Sequence, residues 1–143
     1  TDLHPHRSDN DAAGSDAEIL SLYDRDLRVA EKRSAHVAII GTYTPRKCGI
    51  ATFTCDIAEQ IEIHHPEMTV DVYALDHAGS GLNYSGVASV IECDDPAAYA
   101  QAARRINEAG VDVVWLQHEF GIFGGADGEM VCDFIDRLAA PLI

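Results

Sequence analysis

The chain has 143 residues, 47% of hydrophobic and 24% of charged type, which suits one globular core and leaves too little for two ordinary domains. Its 24 acidic and 10 basic residues give a formal net charge of -14. Residues 36–143 hold 16 of those acids and only five of the bases, so the body is a poor partner for a phosphate backbone or an anionic membrane face, and nucleic-acid binding is disfavoured.

The opening residues TDLHPHRSDNDAAGSD (1–16) are polar and predict a disordered tail. With neither a basic start nor an apolar core, they are not expected to act as a signal peptide. In AEILSLYDRDLRVAEKR (17–33), Ile19, Leu20, Tyr23, Leu27 and Ala30 recur at helical spacing, predicting a short helical arm. Residues 1–35 are thus read as tail and arm, and 36–143 as the body. No stretch approaches the roughly 18–20 apolar residues that span a bilayer. Cys48, Cys55, Cys93 and Cys132 form no CxxC pair and are expected to be reduced, mostly buried thiols of a cytoplasmic protein.

From residue 36 strands and helices alternate. HVAIIGTY (36–43) is a near-continuous apolar run, as expected of a parallel strand covered on both faces. TFTCDIAEQIEI (52–63) predicts a helix with Phe53, Ile57, Ala58 and Ile61 on one face, and His64-His65 reads as its solvated end. MTVDVYALD (68–76) is the second strand and VASVIEC (87–93) the third, separated by HAGSGLNYSG. Asp95 as N-cap and Pro96 in the first helical position start a helix over 96–109, which Gly110 ends. VDVVWLQ (111–117) is the fourth strand, with Trp115 expected in the core. HEFGIFGGAD leads to a helix over 128–139, and Pro141-Leu142-Ile143 enters what reads as a fifth strand. The succession predicts an α/β fold, a Rossmann-like doubly wound parallel sheet. Because the chain stops as an element begins, the body is expected to be truncated at its C-terminal end.

In open α/β sheets ligands bind beyond the carboxyl ends of the strands, and two unusual segments fall there. TYTPRKCGIATFT (42–54) follows the first strand. Gly49 permits a tight turn and close backbone approach, while Thr52 and Thr54 lie near a helix start, where free N–H groups favour an anion or an electron-rich oxygen. Arg46 and Lys47 place two of the body's five basic charges in this one loop. It is neither GxxxxGK[ST] nor GxGxxG, and a loop that only shapes the fold stays open as the plainer reading. Cys48 beside two cations admits a lowered pKa, with a nucleophilic role assisted by His118 as the sharper version and loop packing as the plainer one.

QHEFGIFGGADGE (117–129) follows the fourth strand. His118 there suits a proton shuttle or a hydrogen-bond partner of sugar hydroxyls, and Glu119 suits holding an imidazole or accepting from such hydroxyls. Local backbone capping is the alternative for both. Gly121, Gly124, Gly125 and Gly128 make the loop adaptable. HEFG lacks the second histidine of HExxH, which rejects a zinc protease.

These two segments carry a family resemblance. TYTPRKCGIATFTCDIAEQI resembles the opening of a branch of the family 4 (group 1) glycosyltransferases, whose members typically begin with a TyPP-x-x-CGIAtFt-x-DL run. VVWLQHEFGIFGGADGEMVCDFIDRLAAPLI resembles the same branch's QHEfGifGG-x-G segment. The pair occurs in the same order and covers roughly residues 36–143, departing at Thr44, where a proline is common.

The resemblance implies a GT-B fold, two Rossmann-like domains facing across a cleft, of which this chain is the N-terminal, acceptor-side half. It implies sugar transfer from a nucleotide-sugar co-substrate to a hydroxyl of a sugar or glycan acceptor, metal-independent, without a resident cofactor and with retention of configuration. The glycine-bearing loop near the donor phosphates and acceptor maps onto Cys48, Gly49, Ile50 and Thr52, with Arg46 beside them. The histidine near the transferred sugar maps onto His118, followed by Glu119, Phe120, Gly121, Gly124 and Gly125. The donor-binding C-terminal domain would lie beyond Ile143, so the fragment alone is expected to be inactive, and self-association through its uncovered interdomain face stays open. The competing reading is a non-catalytic saccharide- or nucleotide-binding α/β domain. An oxidoreductase lacks its GxGxxG loop, and a phospho-receiver needs an acidic cluster at its strand ends, where the first strand ends instead in Gly-Thr-Tyr.

Overall fold

The computed structural model describes residues 34–143; the expected tail and nearly all of the arm lie outside them. Four strands and three helices alternate: β1 (His36–Gly41), α1 (Gly49–His64), β2 (Thr69–Asp76), β3 (Ser89–Glu92), α2 (Pro96–Ala109), β4 (Val113–Leu116) and α3 (Met130–Asp136). The strands form one all-parallel sheet in the order β3-β2-β1-β4. Pro141–Ile143 runs parallel along the free side of β4, with the Ile143 amide donating to the Val114 carbonyl and the Leu116 amide to the Ile143 carbonyl, each at 2.9 Å. The contact is a single parallel bridge, Val114 to Leu142, at the place where the sequence predicts a fifth strand.

Alternation along β1 divides the core in two. Val37 and Ile39 face α1, forming a small cluster with Ala58 and Val72. Ala38 and Ile40 face the other way into a larger cluster with Tyr99, Ala102, Ala103 and Ile106 of α2 and Val131 and Phe134 of α3. Helices therefore cover both faces of the sheet, the doubly wound arrangement of Rossmann-like folds. β1 proceeds to β2 and β3 on one side, whereas the α2 crossover returns past both to place β4 on the other side of β1. Right-handed crossovers in opposite directions put their helices on opposite faces and make β1/β4 the topological switch point.

Element boundaries follow the caps. The Asp95 carboxylate accepts from the Ala97 amide at 2.9 Å, Pro96 opens α2, and Gly110 closes it at φ 65°, so this helix has the span its sequence predicts. α1 starts three residues earlier than the hydrophobic pattern, because Cys48 is its N-cap and accepts from the Ala51 amide. The packed face of α1 is also shifted. Ala51, Thr54 and Ala58 are buried, whereas Phe53 is 53% exposed and lies beside the apolar stripe. α3 is shorter than the predicted 128–139. The side chain of Asn107 on α2 donates to the Arg137 carbonyl at 2.8 Å and accepts from the Ala139 amide at 2.9 Å, drawing the chain out of the helix towards the sheet edge.

Trp115 is only half-buried: with Ile57, Ile61, His64 and His65 it lines an open apolar groove beside α1. The thiols also depart from the expected burial, since Cys93 is buried, Cys48 and Cys55 are partly covered and Cys132 is exposed, all four free. Among the described residues no helix is long and apolar enough to cross a membrane.

Candidate functional site

The switch point is built by close approach. A Cβ on Gly41, the last residue of β1, would lie 3.0 Å from Gln117 Cβ and 3.1 Å from Thr54 Oγ1. The position therefore admits little more than hydrogen, and α1, β1 and the chain leaving β4 converge on it. The Gln117 amide donates to the Ile40 carbonyl at 2.8 Å, which aligns the two outgoing segments. Residues 42–48 leave β1 and residues 117–129 leave β4, so the two segments singled out in the sequence start at the carboxyl ends of neighbouring strands.

The first segment turns tightly at residues 43–46, the Arg46 amide donating to the Tyr43 carbonyl at 3.0 Å, with a cis Thr44–Pro45 peptide. Gly49 is not the turn residue. It begins α1, has an ordinary negative φ and leaves open space where a Cβ would stand, so the head of the helix is bare to an approaching group. The Cys48 thiol pairs with the Thr42 hydroxyl at 3.2 Å and accepts from the Ala51 amide at 3.4 Å. Burial disfavours the thiolate, but these two contacts and the Arg46 charge outweigh it and hold the thiol below its ordinary value. Thr52 is committed to the cap, its amide and hydroxyl both donating to the Cys48 carbonyl, at 3.2 and 3.3 Å. Ile50 packs against the larger core cluster, and the Thr54 hydroxyl donates to the Ile50 carbonyl at 2.8 Å. Gly49 is left exposed above them.

Arg46 is not a free cation. Its Nη1 lies 3.7 Å from Oδ1 of Asp76, the last residue of β2, which is 6% exposed. The other carboxylate oxygen of Asp76 accepts from the Ser80 hydroxyl. Nearby, burial first and the Asp76 carboxylate second push the Tyr84 phenol up to about 12. Cys93, in the same neighbourhood, is pushed up to about 11 by burial and is an inert packing group.

In the second segment His118, Glu119 and Phe120 are exposed. The His118 ring lies between two aromatic rings, 5.7 Å from Phe123 in a tilted arrangement and 5.9 Å from Phe120 edge-on. Its nitrogens make no hydrogen bond among the described residues. Phe120 is 93% exposed and, with Gly121, Phe123 and Gly125–Gly128, borders a hollow of about 230 Å³.

The glycines have separate duties. A Cβ on Gly124 would fall 1.8 Å from the Cys93 carbonyl oxygen, so Gly124 is buried packing against the end of β3. Gly125 has φ +94°, and a Cβ there would meet the Glu129 carboxylate at 2.3 Å. Gly121 has φ +83° and faces open space. Of these three, Gly121 alone leaves a free approach, while Gly124 and Gly125 hold the loop's shape.

Sequence reading overlooked the two groups that fasten this loop. Tyr99 donates its hydroxyl to the Cys93 carbonyl at 3.0 Å and accepts from the Gly124 amide at 3.2 Å. Glu129 accepts from the Asp127 amide at 3.0 Å, and its carboxyl is held below the ordinary value by that bond and by the Glu129 and Ala126 amides. A tyrosine inside an alanine-rich helix gave no signal. Asp76, an acid closing an apolar strand, gave one that the reading did not use.

A larger hollow, about 530 Å³, lies between α2 and α3 and is lined by Ala100, Arg104, Asn107, Glu108 and Arg137. Arg137 is already paired with Asp133 at 2.9 Å and Asn107 with the backbone, which leaves Arg104 and Glu108 as the charged groups at its rim. Among the described residues no three His, Cys, Asp or Glu side chains gather as a metal site requires. No protein-family model, curated protein or solved structure significantly matches the chain.

Proposed function

We propose that this chain is the N-terminal, acceptor-side half of a GT-B glycosyltransferase that moves a sugar from a nucleotide-sugar donor to a hydroxyl of a sugar or glycan acceptor, with retention. One observation carries the reading: the two segments that resemble the family's motifs leave the carboxyl ends of the adjacent strands β1 and β4, at the topological switch point. The bare head of α1 at Gly49, with Arg46 alongside, suits the charge that gathers on a diphosphate leaving group. Across the crevice His118 offers an uncommitted imidazole to orient the donor sugar, Glu119 accepts from sugar hydroxyls, and Phe120 offers an apolar face to a sugar ring. A donor-binding C-terminal domain supplies the opposite wall and excludes water on closure. A nucleotide-sugar substrate and four unpaired cysteines support a cytoplasmic location.

The test is turnover by the protein as expressed from its own gene, assayed as nucleoside diphosphate release over a panel of nucleotide sugars and glycan acceptors. Wild type releases diphosphate only when both substrates are present. His118→Ala lowers kcat by about 10²-fold or more at an unchanged melting temperature. A wild type that binds a nucleotide sugar or saccharide but never turns it over is instead the non-catalytic binding domain, to which the same exposed loops are suited.

A further inference from the structure

The geometry points to Asp76 as a positioning residue that sets the loop after β1 through Arg46, an inference that rests on reading this loop as the diphosphate-facing wall. Asp76 is the last residue of β2, one strand away from the crevice, and its carboxylate is almost wholly withdrawn from water. A buried carboxylate requires donors and a counter-charge. Ser80 supplies a hydroxyl to Oδ2, and among the described residues the cation in ionic contact with it is Arg46, facing Oδ1. At 3.7 Å that contact exceeds hydrogen-bond length, so it holds the guanidinium by charge and leaves the N–H donors of its fork available. The Arg46 side chain remains 26% exposed, enough to present those donors outward.

The consequence reaches beyond one side chain. Arg46 closes the 43–46 turn through its own amide and stands two residues before Cys48, the cap of α1. Fixing Arg46 to the end of β2 fixes the approach to the bare helix head, so Asp76 governs an anion-facing surface without touching the anion. A plain anchor for residues 77–88, acting through Ser80, would make the same hydrogen bond but would not govern Arg46.

The two roles separate by sign. Deleting the Asp76 charge can, by Coulomb's law alone, only favour the Cys48 thiolate and speed alkylation. If Asp76 holds Arg46 in place, its loss withdraws the cation from Cys48 and slows alkylation instead. The experiment follows iodoacetamide labelling of Cys48 against pH by peptide mass mapping in wild type, Asp76→Asn, Arg46→Ala and the double variant. The expected result is labelling slowed by about threefold near pH 7 in Asp76→Asn, equivalent to about half a pKa unit. Arg46→Ala should slow it at least as much, and the double variant no further than Arg46→Ala. Ser80 lies on an exposed loop, so Ser80→Ala is expected to fold even if Asp76→Asn does not. It frees the carboxylate and slows labelling by less. Unchanged or faster labelling in these variants overturns the inference, as does an Asp76→Asn effect that persists on the Arg46→Ala background. Calorimetric titration with inorganic pyrophosphate forms a separate arm. Binding weakened alike in Asp76→Asn and Arg46→Ala supports the diphosphate wall. No pyrophosphate binding, alongside the expected labelling pattern, overturns that reading of the loop while Asp76 remains the residue that positions Arg46.

Discussion

Cys48 and Tyr99 each tie two partners together through a single polar atom. The Cys48 thiol takes the capping place usual for serine, threonine or aspartate, and because sulfur accepts weakly it is supplemented by the Thr42 hydroxyl. Tyr99 is the more consequential. Its ring is buried edge-on to Phe134, at 6.4 Å between centroids, and its hydroxyl links α2 to the loop bearing His118. Tyr99→Phe keeps the packing but strips a donor from the buried Cys93 carbonyl and an acceptor from the Gly124 amide. Leaving buried polar groups unpaired costs about 1–3 kcal/mol, so urea denaturation should give a stability loss in that range. Amide exchange should quicken at Gly124 while α1 stays protected. A variant as stable as wild type, with Gly124 exchange unaltered, would show that the loop is fastened by packing alone.

The loop over 117–129 is anchored by Ile122 and Phe123, buried in the larger core cluster, and shaped by side chains that bind its backbone. Its far end is folded around Glu129, whose carboxylate collects nearby amides and whose folded pKa is thereby depressed. A depressed carboxyl contributes stability in full above its unfolded value, about 4.3, and loses it as pH falls through the lower folded value. Local opening of residues 125–129 should therefore increase below that pH, and Glu129→Gln should abolish this pH dependence while raising exchange at neutral pH. Exchange of the Asp127 amide measured from pH 3 to 6 checks it, and identical pH profiles for the two proteins would remove Glu129 from the account. The same element marks how far the sequence could be read. α2 was legible to its ends because Asp95, Pro96 and Gly110 act within one turn of the helix they delimit. The head of α1 was not, since cysteine seldom caps, and the tail of α3 was not, because Asn107 belongs to another helix. Gly124 and Gly125 were recognisable as glycines of a functional loop. Their actual constraints, the Cys93 carbonyl and the Glu129 carboxylate, exist only once the chain is folded.

At the scale of the whole body, alternating apolar strands and amphipathic helices implied a parallel sheet, and the two conspicuous loops were placed at its carboxyl end from connectivity alone. Connectivity did not give the order of the strands. That order, with β4 beside β1 rather than beyond β3, turns two loops far apart in sequence into the two sides of one crevice. It also leaves competing surfaces, the apolar groove of Ile57, Ile61 and Trp115 beside α1 and the hollow between α2 and α3. The switch point is favoured over both because exposed polar groups stand at the ends of its two neighbouring strands: Gly49 at the head of α1 with Arg46 beside it, and His118 and Glu119. Amide hydrogen exchange with and without a panel of nucleotide sugars and nucleoside diphosphates decides between the three surfaces. Ligand should slow exchange at Gly49, Ile50 and residues 118–121 together, since a diphosphate at the helix head and a sugar beside His118 are parts of one molecule. Exchange in the last turn of α2 and in α3 should not change. Protection confined to residues 57–65 would move the site to the Trp115 groove, and protection of the α1 head without that of residues 118–121 would reduce the crevice to an anion site with no place for the sugar.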